Sequence, residues 1–497
     1  MAVSPAPAIV QSSPDELKFG ADRGLCDCRM IRYVVLSTAV IFLGVYAWRD
    51  WYRSLCGLVV LMAFLEHPDM PKTMFGIQGV NLWNLLLLII VVAWASQRSA
   101  EGLTWDAPRG YLLLLMSFFL VVAIGCLRLI DDRHVLATDS SVAGLISEHW
   151  INPVKFIIPG LLLFDGSRRR SRLLWGLASI LALYLLLSAQ VIRWMPIEGM
   201  LHPGELARRS QKILRAEVGY YRVDLSVMLA GAFWALLAVQ SALPALRRRI
   251  FVLLGGLLLL TAEALTAGRS GYVAWTITGL TIGLLRWRRY LLLAPAVMLF
   301  VALLPGVSGR ALDGFDQNGE TNTSQDLDAL TSGRSNIWPA VMDKISDAPI
   351  AGYGRRAMER IGLSTVIEGE DFVAHPHNAY LEMLLEGGSV GLLVSLALFG
   401  YILARSLALI RDDRSDLFVI VGGVTASLVI AQLAGAFTAQ SFYPREGTVG
   451  MWSAIGLMLR VAVERARGNL NFAAPDAAKA SASSIRHPEW WRRVEPS

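Results

Sequence analysis

The sequence predicts an all-α fold, a bundle of about twelve transmembrane helices with one large polar loop. Of its residues, 54% are hydrophobic and 17% are charged, whereas soluble domains carry about 25% charged residues. Apolar runs long enough to cross the ~30 Å hydrocarbon core of a bilayer recur along the chain. The net charge of +6 comes from short basic clusters between these runs. That distribution is typical of a membrane protein and does not indicate a nucleic-acid partner.

Twelve apolar segments are the candidate membrane spans. They lie at 31–66, 80–97, 110–130, 153–165, 172–194, 224–243, 248–267, 271–286, 290–307, 379–410, 417–439 and 447–464. If 31–66 makes one crossing, both termini lie on the same side of the membrane. If it forms two helices, at 31–48 and 54–66, the N-terminus lies on the other side.

Basic clusters orient these spans. The clusters at 167–172, 247–249 and 286–289 predict cytoplasmic connections, because Lys and Arg are enriched on that side. The alternate connections then face outward, at 131–152, 194–223, 268–270, 308–378 and 440–446.

This orientation divides the chain into five parts. They are a cytoplasmic tail at 1–30, the first part of the bundle at 31–307, an outer loop at 308–378, the last part of the bundle at 379–464 and a cytoplasmic tail at 465–497. The outer loop is too long for a plain connector. Within it, 331–345 predicts a short helix with Thr and Ser at its start, and DAPIAGYG (347–354) predicts a turn.

Several arginines lie on the outer side, where the positive-inside bias does not explain them. They are Arg193, Arg222, Arg269, Arg334 and Arg445. One interpretation pairs them with outer carboxylates such as Asp224, Glu198 or Glu205. The other is an anion site, because guanidinium groups bind phosphate with two parallel hydrogen bonds and stay charged. We favour the first for any single arginine and the second for the set.

The segment HPHN (375–378) follows the outer loop and precedes an apolar helix. Asn378 is a good N-cap for a helix beginning at Ala379. His377 then lies beside the positive end of that helix, which disfavours the imidazolium form. The alternatives are loop histidines that bind backbone groups, and a metal site formed by His375, His377 and Asp371. The metal set is incomplete, so we predict no metal.

Two carboxylates follow on the same helix face. Glu382 and Glu386 are four residues apart and predict a polar stripe facing the bundle. They are candidates for an acid pair, although a solvated or paired rim is the simpler interpretation. Signatures of nucleotide-driven, zinc or serine-hydrolase chemistry are absent from the sequence, so we expect no cofactor.

The motifs TSGRSNIW, DAPIAGYG and HPHNAYLEMLLEGGSVGLL together resemble the shared domain of bacterial O-antigen ligases and O-antigen polymerases. The resemblance covers roughly 260–395. It implies a membrane glycosyltransferase of the GT-C class in the inner membrane of a Gram-negative bacterium, with a periplasmic active site. It also implies a role in lipopolysaccharide biosynthesis: transfer of a glycan from undecaprenyl diphosphate to a sugar hydroxyl of lipid A–core, with inversion and without a metal.

The resemblance also implies roles for individual residues. His377 matches the catalytic histidine of the family, and Arg269 and Arg334 match its two motif arginines. Arg222 and Arg193 are added from the topology as further diphosphate ligands, and His375 and Asn378 as supporting residues. The loop and the sequences of these motifs favour a ligase. The alternatives are a polymerase or protein O-oligosaccharyltransferase of the same superfamily, and, in another class, a transporter or flippase of a lipid-linked anion.

Overall fold

The protein is almost entirely helical in the part of the chain that the structure describes. A computed structural model describes residues 21–68, 70–71, 73–74, 77–78, 81–136, 141–202, 205–240, 245–292, 295, 299, 302–312, 337–366, 375–438 and 442–469. Within these ranges the strands form one two-residue antiparallel ladder of β1 (Thr73–Met74) and β2 (Ile77–Gln78).

The described residues in the first half of the chain form eight α-helices. They are α1 (Ala21–Ala47), α2 (Trp51–Leu65), α3 (Leu82–Arg98), α4 (Arg109–Asp131), α5 (Val142–Ile146), α6 (Asn152–Gly166), α7 (Arg170–Trp194) and α8 (Glu205–Ile213). Short 3₁₀ turns lie at Arg133–Val135 and Ile197–Leu201, and π-helical turns at Ser147–Ile151 and Leu214–Val218.

The second half supplies the remaining described helices. They are α9 (Arg222–Val239), α10 (Ala245–Thr266), α11 (Arg269–Leu285), α12 (Arg288–Leu291), α13 (Pro305–Leu312), α14 (Ile337–Asp347), α15 (Ala357–Arg360), α16 (Leu363–Val366), α17 (Ala379–Ile410), α18 (Asp416–Gly435) and α19 (Val449–Ala466). A 3₁₀ turn at Glu446–Thr448 leads into α19.

The expectation of a helical membrane protein is confirmed. Seven described helices are long and apolar enough to span a bilayer by length and composition, namely α1, α4, α7, α9, α10, α17 and α18. Two shorter apolar helices cover Trp51–Phe64 and Leu82–Arg98. The predicted span at 290–307 is only partly described, because 293–294, 296–298 and 300–301 lie outside the described residues. In the outer loop, the predicted helix at 331–345 is observed from Ile337 onward, and 347–354 forms a turn region.

Of the two alternatives for 31–66, one crossing or two helices, the structure has the second. The segment forms two antiparallel helices, α1 and α2, and Asp50 between them caps α2 by accepting a hydrogen bond from the Arg53 backbone N–H at 3.2 Å. Arg32, at the start of the apolar window of α1 (Met30–Ala47), hydrogen-bonds His67 just after α2. The start of this apolar window therefore lies level with the end of α2, as the two-helix alternative expects.

The two ends of the bundle differ in their polar residues. We call the end that carries residues 375–378 the histidine end. At the opposite end lie the basic clusters at 167–172 and 286–289, where Arg172 pairs with Glu101 and Arg286 pairs with Asp413. The fully buried Arg460 is held there by Asp106, with its Nη2 2.6 Å from a carboxylate oxygen. Two of the three clusters predicted to share one side therefore lie at one end.

Helix α18 is the centre of the bundle. Of its spanning window, 94% is buried, against 22–72% for the other six long helices. It packs on α9, α11, α17 and α19, so its ends are fixed by four neighbours. Its last turn lies at the histidine end, where it contacts the starts of α11 and α17.

Candidate functional site

The HPHN segment has the helix cap that its sequence predicts, and His377 in addition has an unusual backbone conformation. The Asn378 side-chain oxygen accepts hydrogen bonds from the backbone N–H groups of Tyr380 at 3.0 Å and Leu381 at 3.2 Å, so Asn378 caps α17. His377 adopts a left-handed backbone with φ of 52°, which is uncommon for any residue other than glycine. Such conformations persist only where surrounding structure imposes them, and they cluster at functional sites.

His375 and His377 lie against each other. Their ring centroids are 4.2 Å apart in an edge-to-face arrangement, and both side chains are half-buried. The indole N–H of Trp338, on helix α14 of the outer loop, donates to the carbonyl oxygen of Pro376 at 3.0 Å. The loop therefore contacts the backbone directly before His377.

The end of α18 brings the histidine segment and Arg269 together. The backbone N–H of Ala379 donates to the carbonyl oxygen of Ala436 at 2.8 Å. Two residues further on, the Thr438 hydroxyl donates to the hydroxyl of Ser270. Ser270 directly follows Arg269, which is half-buried at the start of α11.

Arg222 lies at the same end. It opens α9, and a Cβ atom on Gly268 would lie 3.3 Å from the Arg222 carbonyl oxygen, so the starts of α9 and α11 touch. The Arg222 guanidinium donates to the carbonyl oxygen of Ala207 at 3.0 Å. The histidine end thus gathers His377, Arg269 and Arg222 from three helices.

The remaining outer arginines have different surroundings. Arg193 is exposed at the end of α7, with its guanidinium 5.1 Å from the centroid of the Trp194 ring. Within the described ranges, nothing joins it to His377. Arg445 donates to the Asp224 carboxylate at 2.7 Å, so pairing with an outer carboxylate is confirmed for that arginine. Arg334 lies outside the described residues.

The polar stripe on α17 is buried, and of the two simpler interpretations, a solvated or a paired rim, the structure has the paired one. Glu382 and Glu386 are 6% and 7% exposed. The Glu386 carboxylate binds the Arg355 guanidinium at 2.5 Å and accepts from the Tyr443 hydroxyl at 2.7 Å and from the Arg356 backbone N–H at 2.8 Å. Glu386 is therefore a paired, buried carboxylate.

Sequence reasoning missed Arg355, the centre of this cluster. Its guanidinium lies over the Tyr443 ring at 3.6 Å from the centroid and 3.5 Å from Nδ1 of His149. Burial opposes the charge, but the Glu386 carboxylate raises the pKa of Arg355 above its ordinary value. The available signal was two arginines directly after the glycines of GYGRR, in a loop leading to the histidines.

His149 is a neutral histidine in this cluster. It lies on the π-helical turn before α6 and is 5% exposed. Burial, together with the charges of Arg355 and Arg356, lowers the pKa of His149 to about 3. Its Nδ1 atom can then accept a hydrogen bond from Arg355.

Metal ligands are sparse in the described part of the chain. Within those ranges no group of three or more His, Cys, Asp or Glu side chains lies close enough together to hold a metal ion. Asp371, the third member of the alternative ligand set, lies outside the described residues.

The fold and the site define a helical membrane protein with a histidine and arginines gathered at one end of its bundle. Residues 254–396 match the family model described as O-antigen ligase. Over 230 residues the chain is 29% identical to a protein of Pseudomonas aeruginosa named O-antigen ligase. That alignment covers 45% of this chain and 50% of the relative, so the chain spans about half the length of the curated relative it matches.

These matches confirm the resemblance drawn from the motifs: residues 254–396 are similar to the O-antigen ligase family. The matched range contains Arg269, Arg334, Arg355, Glu386 and the HPHN segment. Arg193 and Arg222 lie before it.

Proposed function

We propose that this protein is an O-antigen ligase, a glycosyltransferase that joins O-antigen polysaccharide to lipid A–core. The donor is the polysaccharide on undecaprenyl diphosphate, and the acceptor is a sugar hydroxyl of the core. The observation that carries the proposal is the junction at the end of α18, where bonds to Ala436 and Thr438 bring the starts of α17 and α11 together. The first of these helices directly follows His377, the second begins at Arg269, and both lie within the range that the family model matches.

In the proposed reaction, the acceptor hydroxyl oxygen attacks the anomeric carbon of the donor sugar. The bond from that carbon to the diphosphate oxygen breaks, and attack from the opposite face inverts the anomeric centre. His377 takes the hydroxyl proton, a contribution typically worth ~10²–10⁴-fold in rate. The donor bond is already activated, so the reaction needs neither a nucleotide nor a metal.

Arginines stabilise the leaving group in this scheme. Arg269 and Arg334 bind the diphosphate and offset the charge that develops as it departs. Arg222 is a further ligand, supported by the contact between the starts of α9 and α11. Arg193 is the weakest member of the set, because it is exposed and stacks on Trp194. Asn378 fixes the start of α17 and His375 supports His377 through their ring contact.

The proposal includes the setting of the site. We assign the histidine end to the periplasmic face of a Gram-negative inner membrane, because the basic clusters lie at the opposite end. The fold is then of the GT-C type with about twelve spans. Because α1 and α2 are separate crossings, residue 30 lies on the periplasmic side, opposite to the cytoplasmic tail that a single crossing at 31–66 predicts.

The direct test is glycan transfer by the purified protein in lipid nanodiscs. Supplied with undecaprenyl-diphosphate-linked glycan and lipid A–core, it is expected to make glycan-bearing lipid A–core, seen as a mobility shift on a gel. Chain growth on the lipid carrier without lipid A–core would instead identify a polymerase, and transfer to a protein acceptor an oligosaccharyltransferase. Loss of activity with a chelator would contradict the metal-free scheme. Movement of the lipid-linked glycan across the bilayer of vesicles, without glycan transfer to lipid A–core, would identify a flippase.

A further inference from the structure

Helix α17 is two helices that meet at a break. Gly388 has φ of 63° and ψ of −165°, far from helical values. The whole element has 32 residues, or about 48 Å at 1.5 Å per residue, which exceeds the ~30 Å hydrocarbon core. The part after Gly388 is long enough to span the core. The part before it, residues 379–387, is a short separate helix that carries the cap and His377 at its start.

Backbone groups of the outer loop replace the hydrogen bonds that are missing at this break. On one side of Gly388, the backbone N–H groups of Ser389 and Val390 donate to the carbonyl oxygens of Pro349 and Ile350, at 2.7 and 3.2 Å. On the other side, the carbonyl oxygens of Leu385 and Glu386 accept from the N–H groups of Tyr353 and Gly354, both at 2.8 Å. Four backbone groups that the break deprives of helical partners are thus satisfied by the loop at 349–354.

The Glu386–Arg355 ion pair, called the latch below, holds the same junction in place. Glu386 is on the short helix, and Arg355 directly follows the loop residues that repair the break. Arg355 also reaches outside the loop: its backbone N–H donates to the Gly125 carbonyl oxygen on α4 at 3.1 Å, and its guanidinium contacts His149 and Tyr443. The pair therefore fixes the far end of the short helix to three other parts of the bundle.

The loop also fixes the near end of the short helix. Trp338 binds the Pro376 carbonyl oxygen. A small apolar core formed by Ile337, Val341, Met358 and Leu363 packs against Leu381 and Leu385 of the short helix. Both ends of residues 379–387 are thus held by one loop unit.

We propose that Arg355 and Glu386 are positioning residues, which hold the short helix 379–387 in place and thereby set the location of His377. The inference rests on the proposed function, since His377 is the proton acceptor there. Neither residue is assigned contact with substrate. Their effect is geometric, and misplacing a reacting group by about 1 Å can cost ~10²-fold in rate.

The test compares Arg355→Gln and Glu386→Gln with a matched control, Arg356→Gln. Arg356 is the adjacent arginine and is also ion-paired, but its guanidinium binds Glu359 within the loop. We expect each latch variant to lower kcat by about 10–100-fold while KM for the lipid-linked donor changes little. The pH profile of kcat is expected to keep its midpoint, because the geometry changes and the identity of the base does not. Arg356→Gln is expected to retain wild-type kcat.

Two further measurements separate positioning from loss of fold. Each variant is measured per folded molecule, after size-exclusion chromatography and a thermal unfolding scan. Hydrogen exchange at the amides of Tyr353, Gly354, Ser389 and Val390 should quicken in both latch variants, a readout that needs no substrate. The double variant should be no slower than the slower single variant, because both substitutions open one latch.

The outcomes distinguish the two proposals. Folded Arg355→Gln and Glu386→Gln with wild-type kcat would overturn the positioning role while leaving the ligase assignment intact. An equal loss in Arg356→Gln would also overturn it. If wild-type protein transfers no glycan, or if His377→Ala transfers as well as wild type, the proposed function is overturned. Faster amide exchange in the Arg355→Gln and Glu386→Gln variants would in that case still show that the ion pair holds the short helix in place.

Discussion

Burial and neighbouring cations keep His149 uncharged, so the stability of the protein should depend on pH. Its pKa is about 3 in the folded protein and about 6.5 in an unfolded chain. Between these values the unfolded chain binds more protons, so the free energy of unfolding falls as pH decreases from about 6.5 towards 3. Each pH unit in this window costs at most about 1.4 kcal/mol for one such group.

We therefore expect His149→Gln to flatten the dependence of thermal unfolding on pH between about 4 and 6, because glutamine keeps an acceptor but does not titrate. The measurement is the unfolding midpoint in detergent at several pH values. His202→Gln is the control, since His202 is exposed and its Nδ1 atom lies 3.0 Å from the Glu198 carbonyl oxygen. An unchanged slope in His149→Gln would contradict the assignment of a neutral His149.

The outer arginines should differ in their effect on donor binding. Arg269→Lys keeps a charge but loses the two-pronged geometry that suits a diphosphate, so we expect KM for the donor to rise and kcat to fall, together by about 10-fold or more. Arg193→Lys should change both by less than about 2-fold, because Arg193 is exposed and stacks on Trp194. Steady-state kinetics with varied donor measures this, and equal effects of the two substitutions would contradict the ranking.

The break in α17 depends on one glycine. Gly388 adopts a backbone conformation that is essentially limited to glycine, and a Cβ atom there would overlap the Ile350 carbonyl oxygen. We expect Gly388→Ala to destabilise the protein by about 1–3 kcal/mol or more and to lower transfer.

The matched control is Gly400→Ala on the same element. Gly400 has helical geometry, and a Cβ atom there would meet no neighbouring atom within 4 Å. We expect its effect on stability to stay within about 0.5 kcal/mol. Thermal unfolding compares the two variants, and equal stability would show that the break does not require glycine.

Local signals explain which elements were predictable. The Asn378 cap and the start of α17 follow from adjacent residues, and both were predicted correctly. The break at Gly388 was not, because the apolar pattern continues across it and the missing hydrogen bonds are supplied from 349–354. The Arg355 cluster was missed for the same reason: Gly125, His149, Glu386 and Tyr443 are far apart in the sequence, and only the folded bundle brings them together.

At the scale of the whole molecule, periodicity and hydropathy predicted the helical membrane fold but not the path of its first helices. The run at 31–66 is apolar throughout apart from a short polar turn, so hydropathy alone does not separate one long element from two. Asp50, which caps α2, is the local signal that marks the turn.

This path predicts which cysteines are labelled from each side of the membrane. In a background with the native cysteines replaced, Met30→Cys and Glu198→Cys should react with an impermeant maleimide from one side. Arg49→Cys should react from the other, because α1 crosses between Met30 and Arg49. All three positions are exposed. Labelling of positions 30 and 49 from the same side would contradict the crossing.

The central claim is that His377 accepts the proton of the acceptor hydroxyl during glycan transfer. It is tested most directly by the single-turnover transfer rate of His377→Ala in nanodiscs, with saturating donor and lipid A–core. The account predicts a rate lower by ~10²–10⁴-fold in a protein that still folds and still binds the lipid-linked donor. A transfer rate close to that of the wild type would contradict it.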